Sequence, residues 1–143
     1  MALSADKVRS YRADVDPLFA EIPVKASTKI FMGEALSDDG GGGVADSLAV
    51  SESFLGFAEE QADNSSGAAG DINVKVRQQG VICDLAITGV TGVTDLGVAV
   101  YADDDSSFTL TSSGSNVQIG KIIKYRTTGY ADVFFQGAIA RSV

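Results

Sequence analysis

The sequence predicts a mainly β fold, a small glycine-rich barrel or sandwich of short strands with an extended or short-helical N-terminal arm. Three observations carry that prediction. Sixteen glycines stand against two prolines and no tryptophan in 143 residues, which suits many tight turns better than long helices. Ile72, Val74 and Val76 alternate with Asn73, Lys75 and Arg77, the period-two pattern of a half-buried strand. Residues 96–120 read as a hairpin: Val98 and Val100, then Phe108 and Leu110, place apolar side chains on one face, and Asp103, Asp104, Asp105, Ser106 and Ser107 make the polar bend between them.

In chain order, residues 1–21 form the arm and residues 22–143 the β domain. Val8, Tyr11 and Val15 have helical spacing, Ser4 is placed to cap and Pro17 to stop, so two to three turns are expected that need a partner surface for order. From Ile22 the period changes. Ile22, Val24, Ala26, Ile30 and Met32 alternate with polar neighbours as one long or two short strands, with Lys25 and Lys29 pointing outward. Asp38, Asp39 and Gly40 to Gly43 come next as a flexible loop; a phosphate-binding loop needs Lys-Ser/Thr after its last glycine, and Val44, Ala45 and Asp46 stand there instead. Residues 48–51 and 54–59 read as strands, the second packing Phe54, Leu55 and Phe57 around Gly56, and residues 61–70 as a polar exposed tip.

After the alternating strand, Gln79-Gly80 leads into the apolar run 81–87, and Gly89, Gly92 and Gly97 break the next segment into irregular pieces. A turn over residues 112–116 feeds a strand at 117–125 in which Gly120 marks a bulge or a close backbone approach. The last strands, 121–126 and 131–136, flank a Thr127-Thr128-Gly129 turn, and residues 137–140 close the sheet. A faint echo links 54–57, 71–76 and Gly80 with 117–120, 131–135 and Gly137, either an ancient duplication or a recurrence of short strands with glycine turns.

Composition excludes several functions. The net charge is −8, and no basic residue lies between Lys29 and Lys75, a stretch holding nine carboxylates from Glu34 to Asp71. Such a solvated acidic face repels phosphate backbones, so no nucleic-acid partner is expected. With no histidine and one cysteine, neither a catalytic triad nor a nitrogen–sulfur metal site can be assembled, and no catalytic residue, metal or cofactor is expected. Asp103, Asp104 and Asp105 are the best carboxylate cluster and read as a solvated turn, while Asp38 and Asp39 lack the spaced ligands of a calcium loop. Cys83 reads as a buried thiol in an apolar run. No apolar run reaches membrane-spanning length, and Asp6, Lys7 and Arg9 interrupt any secretory core, so synthesis in the cytoplasm and no membrane partner are expected.

V-Y-A-D at 100–103, F-T-L-T at 108–111, S-S-G-S-N at 112–116, V-Q-I-G-K-I at 117–122 and A-D-V-F-F at 131–135 together resemble the C-terminal half of the small capsid cement (decoration) proteins of tailed bacteriophages. F-L-G-F-A at 54–58, G-D-I-N-V-K-V at 70–76 and Q-G-V-I at 79–82 are similar to that family's first half, and the likeness spans residues 22–140. The resemblance implies a non-enzymatic β protein on the virion's capsid exterior, a homo-oligomer of trimeric type, bound to the major capsid protein and holding the shell against internal pressure. It would make Leu3, Val8, Arg9, Tyr11, Arg12, Val15, Leu18 and Phe19 a capsid-binding arm, separable from the body by deletion of residues 1–20. The alternative is a tail or fibre-associated module contacting a host surface. That reading needs an exposed aromatic platform for sugars on a loop tip, and Tyr130 is the main candidate.

Overall fold

A computed structural model describes residues 3–39, 43–112 and 114–138. The chain is mainly β, and among the described residues no helix is long and apolar enough to cross a membrane. Twelve strands run in order: β1 Ser10–Tyr11, β2 Leu18–Pro23, β3 Thr28–Ile30, β4 Ala35–Asp38, β5 Ala45–Ser47, β6 Phe54–Ala58, β7 Ala62–Asn64, β8 Asn73–Ala86, β9 Ala99–Ala102, β10 Phe108–Thr109, β11 Val117–Thr127 and β12 Tyr130–Gln136, with one 3-10 turn at Val93–Asp95. All but β3 and β7, which pair with each other, belong to one ten-stranded sheet.

The alternating strand of the sequence and the apolar run after it are one strand, β8, and the sheet forks along it. One edge of β8 takes β2 and β1, the other takes β6 and then β12. Beyond β6 lie β4 and β5, the lower branch; beyond β12 lie β11, β9 and β10, the upper branch. Each branch curls back toward β8. A parallel bridge joins Val24, just past β2, to Ala45 of β5, and another joins Thr88, just past β8, to Thr109 of β10. The lower branch encloses Ile22, Val24, Ile30, Leu36, Val74 and Val76 among others, and the upper branch encloses a larger core that includes Phe57, Ile82, Val100, Phe108, Ile119 and Phe135. In the upper core Phe57 meets Phe135 edge-on at 4.9 Å and Phe54 at 5.7 Å, the geometry that sets ring edges against ring faces.

One strand serves both cores, and near its end its phase slips. Val74 and Val76 point into the lower core, Ile82 and Leu85 into the upper, and Ile82 to Leu85 is an odd step that strict alternation forbids. A bulge at Cys83 and Asp84 absorbs it: Leu85 pairs with Ala131 and Ile82 with Val133, so two residues of β8 face Asp132 alone, and Asp84 takes a left-handed φ of 55°. The fully buried Asp132 accepts from the Asp84 N–H at 2.8 Å and from two nitrogens of the Arg126 guanidinium at 2.8 Å each. Burial by itself would raise the pKa of this carboxyl, but Arg126 and the Asp84 N–H outweigh burial and hold it below the ordinary value.

The expected hairpin of residues 96–120 forms as β9 and β10, and the last hairpin as β11 and β12. Other segments differ from expectation. Residues 48–51 are not a strand; the strand before β6 is β5, in which Ala45 is buried. Residues 61–70 are not wholly a loop tip, since β7 pairs with β3 and the buried Asn64 amide donates to the carbonyls of Val24, Lys25 and Ala68. The two N–H groups of one asparagine, one of them shared between two carbonyls, tie this turn to the chain beyond β2. The described part of the N-terminal segment holds no helix, and β2 runs across the expected boundary at residue 21. Gly40, Gly41 and Gly42 of the expected loop, and residues 139 and 140 of the closing segment, lie outside the described residues.

Gly120 is both bulge and close approach. The register with β9 shifts between Gln118 and Gly120, and a Cβ on Gly120 would lie 1.9 Å from the Phe134 carbonyl oxygen on the neighbouring strand. Gly120→Ala is therefore expected to cost about 2–4 kcal/mol by urea denaturation, whereas Gly92→Ala, with extended backbone and open space, changes stability by no more than about 0.5 kcal/mol.

Candidate functional site

The residues expected to form a free arm lie on the body as a strap. Leu3 N–H donates to Asp105 Oδ1 at 3.1 Å, Met32 N–H to Asp6 Oδ1 at 2.9 Å, and Lys7 N–H to the Met32 carbonyl at 2.8 Å. Ser10 and Tyr11 then pair with Cys83 and Ile82 of β8, and Arg12 N–H donates to the Val81 carbonyl at 3.0 Å. Helical spacing of Val8, Tyr11 and Val15 lost to these ladder bonds because β8 offers an edge to pair with, and backbone pairing there stabilises more than an isolated two-turn helix.

The strap closes the upper core with two side chains. Arg9 lies with its guanidinium carbon 5.9 Å from the ring centroids of both Phe57 and Phe108 and donates from Nε to the Gly33 carbonyl at 3.1 Å. Its Nη2 is buried without a partner among the described residues, and burial lowers the pKa of the group while Tyr11 and Asp105 counter it. Tyr11 packs on Phe135 at 6.1 Å and under the Arg77 guanidinium at 4.0 Å, and burial raises its phenol pKa well above the ordinary value. Gly33 makes the close fit possible. Its φ of 89° is left-handed, and a Cβ there would lie 2.1 Å from the Lys7 carbonyl oxygen.

Under the strap sits a pair of buried carboxyls. Glu34 is 1% exposed and Asp105 is 2% exposed, so Asp105 is not part of a solvated turn as its sequence neighbours suggest. Its backbone carbonyl accepts from Ala35 N–H and its carboxylate from Leu3 N–H, whereas Asp104 folds back to accept from the N–H groups of Ser106 and Ser107. Glu34 accepts from Phe31 N–H at 3.1 Å and Ser47 Oγ at 2.7 Å, and its carboxyl lies against that of Asp105. Burial raises the Glu34 pKa to about 7, with Ser47 and Phe31 N–H opposing and the charges of Asp105 and Asp46 adding to the rise. Asp105 is raised in the same direction, again chiefly by burial.

The structure separates the expected arm residues into two sets. Arg9 and Tyr11 turn inward, and Leu3, Arg12 and Val15 are half-buried, with Arg12 paired to Asp14. Val8, 81% exposed, with Leu18 and Phe19, remains on the surface. Phe19 carries the ammonium of Lys75 at 4.7 Å and the guanidinium of Arg77 at 4.8 Å on its ring. The pairing of Arg77 with both Tyr11 and Phe19 was not legible in the sequence, since cross-strand neighbours are set by register alone. Elsewhere, Asp39 is brought beside Asp46 and Glu52, their carboxylate oxygens within 4.8 Å of one another, and Lys25 Nζ lies 3.3 Å from Asp46 and 3.7 Å from Asp39. An ammonium thus already sits among these acids. Asp38 instead accepts from Gly43 and Val44 N–H groups, and Cys83 is half-buried with burial raising its thiol pKa.

Compared with the models of known protein families and with curated protein sequences, the chain matches none.

Because the folded pKa of Glu34 lies above its ordinary 4.5, the stability tied to its protonated form is full below that value and is lost as the pH rises through about 7. Urea denaturation should therefore show the chain less stable at pH 8 than at pH 5 by about 2–3 kcal/mol, and Glu34→Gln should remove most of the difference. Gly33→Val should lift the strap: dye binding to exposed apolar surface increases and amide exchange at Lys7 and Arg12 accelerates at least about tenfold, while exchange within β11 and β12 stays slow. Deleting residues 1–20 is expected to unfold or expose the upper core rather than leave an intact body, because it removes β1, half of β2 and the Arg9 and Tyr11 plugs; loss of near-ultraviolet circular dichroism would report it.

Proposed function

We propose that the chain is a non-enzymatic structural virion protein that binds the outer surface of a tailed-phage capsid and stabilises it by bridging neighbouring capsid subunits. One observation supports this reading beyond the sequence resemblance. Among the described residues, three of the eight exposed large hydrophobic side chains, Val8, Leu18 and Phe19, fall within twelve residues of the N-terminal segment. Apolar side chains left on the surface of a strap that is otherwise fastened to the body supply contact points for a partner. β2 pairs with β8 alone among the described residues, which leaves its other edge free to accept a strand. An incoming strand would gain main-chain hydrogen bonds there and lay side chains beside Leu18 and Phe19.

The mode of attachment differs from a loose tail. A strap fastened to the body presents its contacts already ordered, so binding costs less conformational entropy than ordering a mobile arm. A trimer would present three such surfaces at once, and weak contacts at each would combine into strong attachment through effective concentration. The exposed acids Glu60, Asp63 and Asp71 would face solvent or a basic partner surface.

Val8→Glu and Leu18→Glu test the reading without disturbing the core. Each should leave stability to urea unchanged within about 0.5 kcal/mol and reduce co-sedimentation with mature phage heads at least about tenfold. The wild-type chain should saturate heads at copy numbers comparable with the capsid subunits. Retention of both variants at wild-type affinity, or saturation at only a few copies per head, would remove the proposal.

A further inference from the structure

Three loops converge at the end of the upper branch: the turn after β8, the bend between β9 and β10, and the turn between β11 and β12. They enclose an open groove of about 540 Å³. Backbone hydrogen bonds tie the loops together, from Thr88 N–H to the Phe108 carbonyl at 2.9 Å, from Ile87 N–H to the Gly129 carbonyl at 2.8 Å, and from Gly129 N–H to the Val90 carbonyl at 2.9 Å. The groove is therefore formed before any ligand arrives, as a mouth of a curled sheet commonly is.

Its lining has an unusual chemistry for this chain. The protein carries a net charge of −8, yet among the described residues no charged one lines the groove. The floor is apolar and buried, made by Ile87, Val90 and Phe108. The rim carries Thr88, Thr91 and Thr128, all exposed, whose hydroxyls have no hydrogen-bond partner among the described residues. Tyr130 stands beside them, 42% exposed, at the start of β12. Two flanking acids are directed elsewhere: Asp95 accepts from the Thr91 and Gly92 N–H groups and Asp104 from those of Ser106 and Ser107.

Hydroxyls that both donate and accept, set around an apolar floor with one aromatic face, match a ligand that is itself a ring of hydroxyls with apolar C–H faces. The missing charges argue against phosphorylated, carboxylated or cationic ligands, and the hydroxyl rim against a purely apolar one. We propose that this groove binds a neutral saccharide, stacked on Tyr130 and hydrogen-bonded by Thr88, Thr91 and Thr128. The inference does not depend on the capsid reading, and a surface protein of any assembly would use such a site to attach weakly to glycans.

Titration of the full chain with maltotriose, cellotriose and chitotriose, monitored by amide chemical shifts, tests it. At least one sugar should give saturable shifts confined to residues 86–91, 106–108 and 128–130, with a Kd on the order of 1 mM that changes little with added salt. Tyr130→Ala should weaken binding about tenfold and Tyr130→Phe should keep most of it, because stacking and not the phenol oxygen holds the ring. Thr88→Val with Thr128→Val should weaken binding while the remaining spectrum stays folded. No shift at these residues with any of the three sugars, or binding that survives Tyr130→Ala unchanged, would overturn the proposal.

Discussion

The structure depends on β8 serving two cores at once: Val74 and Val76 enter the lower core and Ile82 the upper in one phase, and Leu85 joins Ile82 only because the strand changes phase between them. A strand that alternated strictly from Val74 to Leu85 would turn Leu85 away from the core that Ile82 enters. The bulge at Cys83 and Asp84 prevents this, and the Asp84 N–H that it takes out of the ladder is accepted by Asp132. A buried carboxylate is in turn tolerable only with a bidentate cation, which Arg126 supplies from the adjacent strand. Bulge, acid and arginine form one unit, and it carries Leu85 into the upper core.

The N-terminal segment is the second dependent part. The upper branch curls but leaves its aromatic interior open on the side facing the chain's start, and a cation stacked on Phe57 and Phe108 with a tyrosine on Phe135 is what covers it. Arginine suits that position because its planar, weakly hydrated guanidinium stacks on rings while its aliphatic stem lies in apolar surroundings. The cover also takes water away from Glu34 and Asp105, and two carboxyls in contact without solvent cannot both ionise freely. Stability of the closed form and the charge state beneath the strap are therefore one variable.

Such a construction would suit the proposed surface-binding role in a small body. Apolar side chains offered for contact would ordinarily be the least ordered part of a terminal segment. Here Val8, Leu18 and Phe19 are carried on backbone held by hydrogen bonds to β8 and to the β3–β4 turn, so these exposed side chains and the core share their supports. The groove beside Tyr130 is ordered in the same way, by main-chain bonds between loops rather than by side chains that would compete with a ligand.

Local pattern determined a good deal from the sequence alone. Alternation at Ile72, Val74 and Val76, the polar bend before Phe108, and the turn at Thr127-Thr128-Gly129 each specify structure through residues close in the chain, and these elements form where the pattern places them. Gly120 was legible as a point of close approach for the same reason, although the Phe134 carbonyl that it admits was not. Tertiary structure decided the rest. Whether residues 8–15 coil as a helix or pair as a strand depended on an edge of β8 about seventy residues away in the chain, and local spacing carries no information about that edge. The burial of Asp105, the three carbonyls satisfied by Asn64, the fork at Arg126 and the convergence of Thr88, Thr128 and Tyr130 likewise arise from register and sheet closure, which bring together residues that the chain keeps apart.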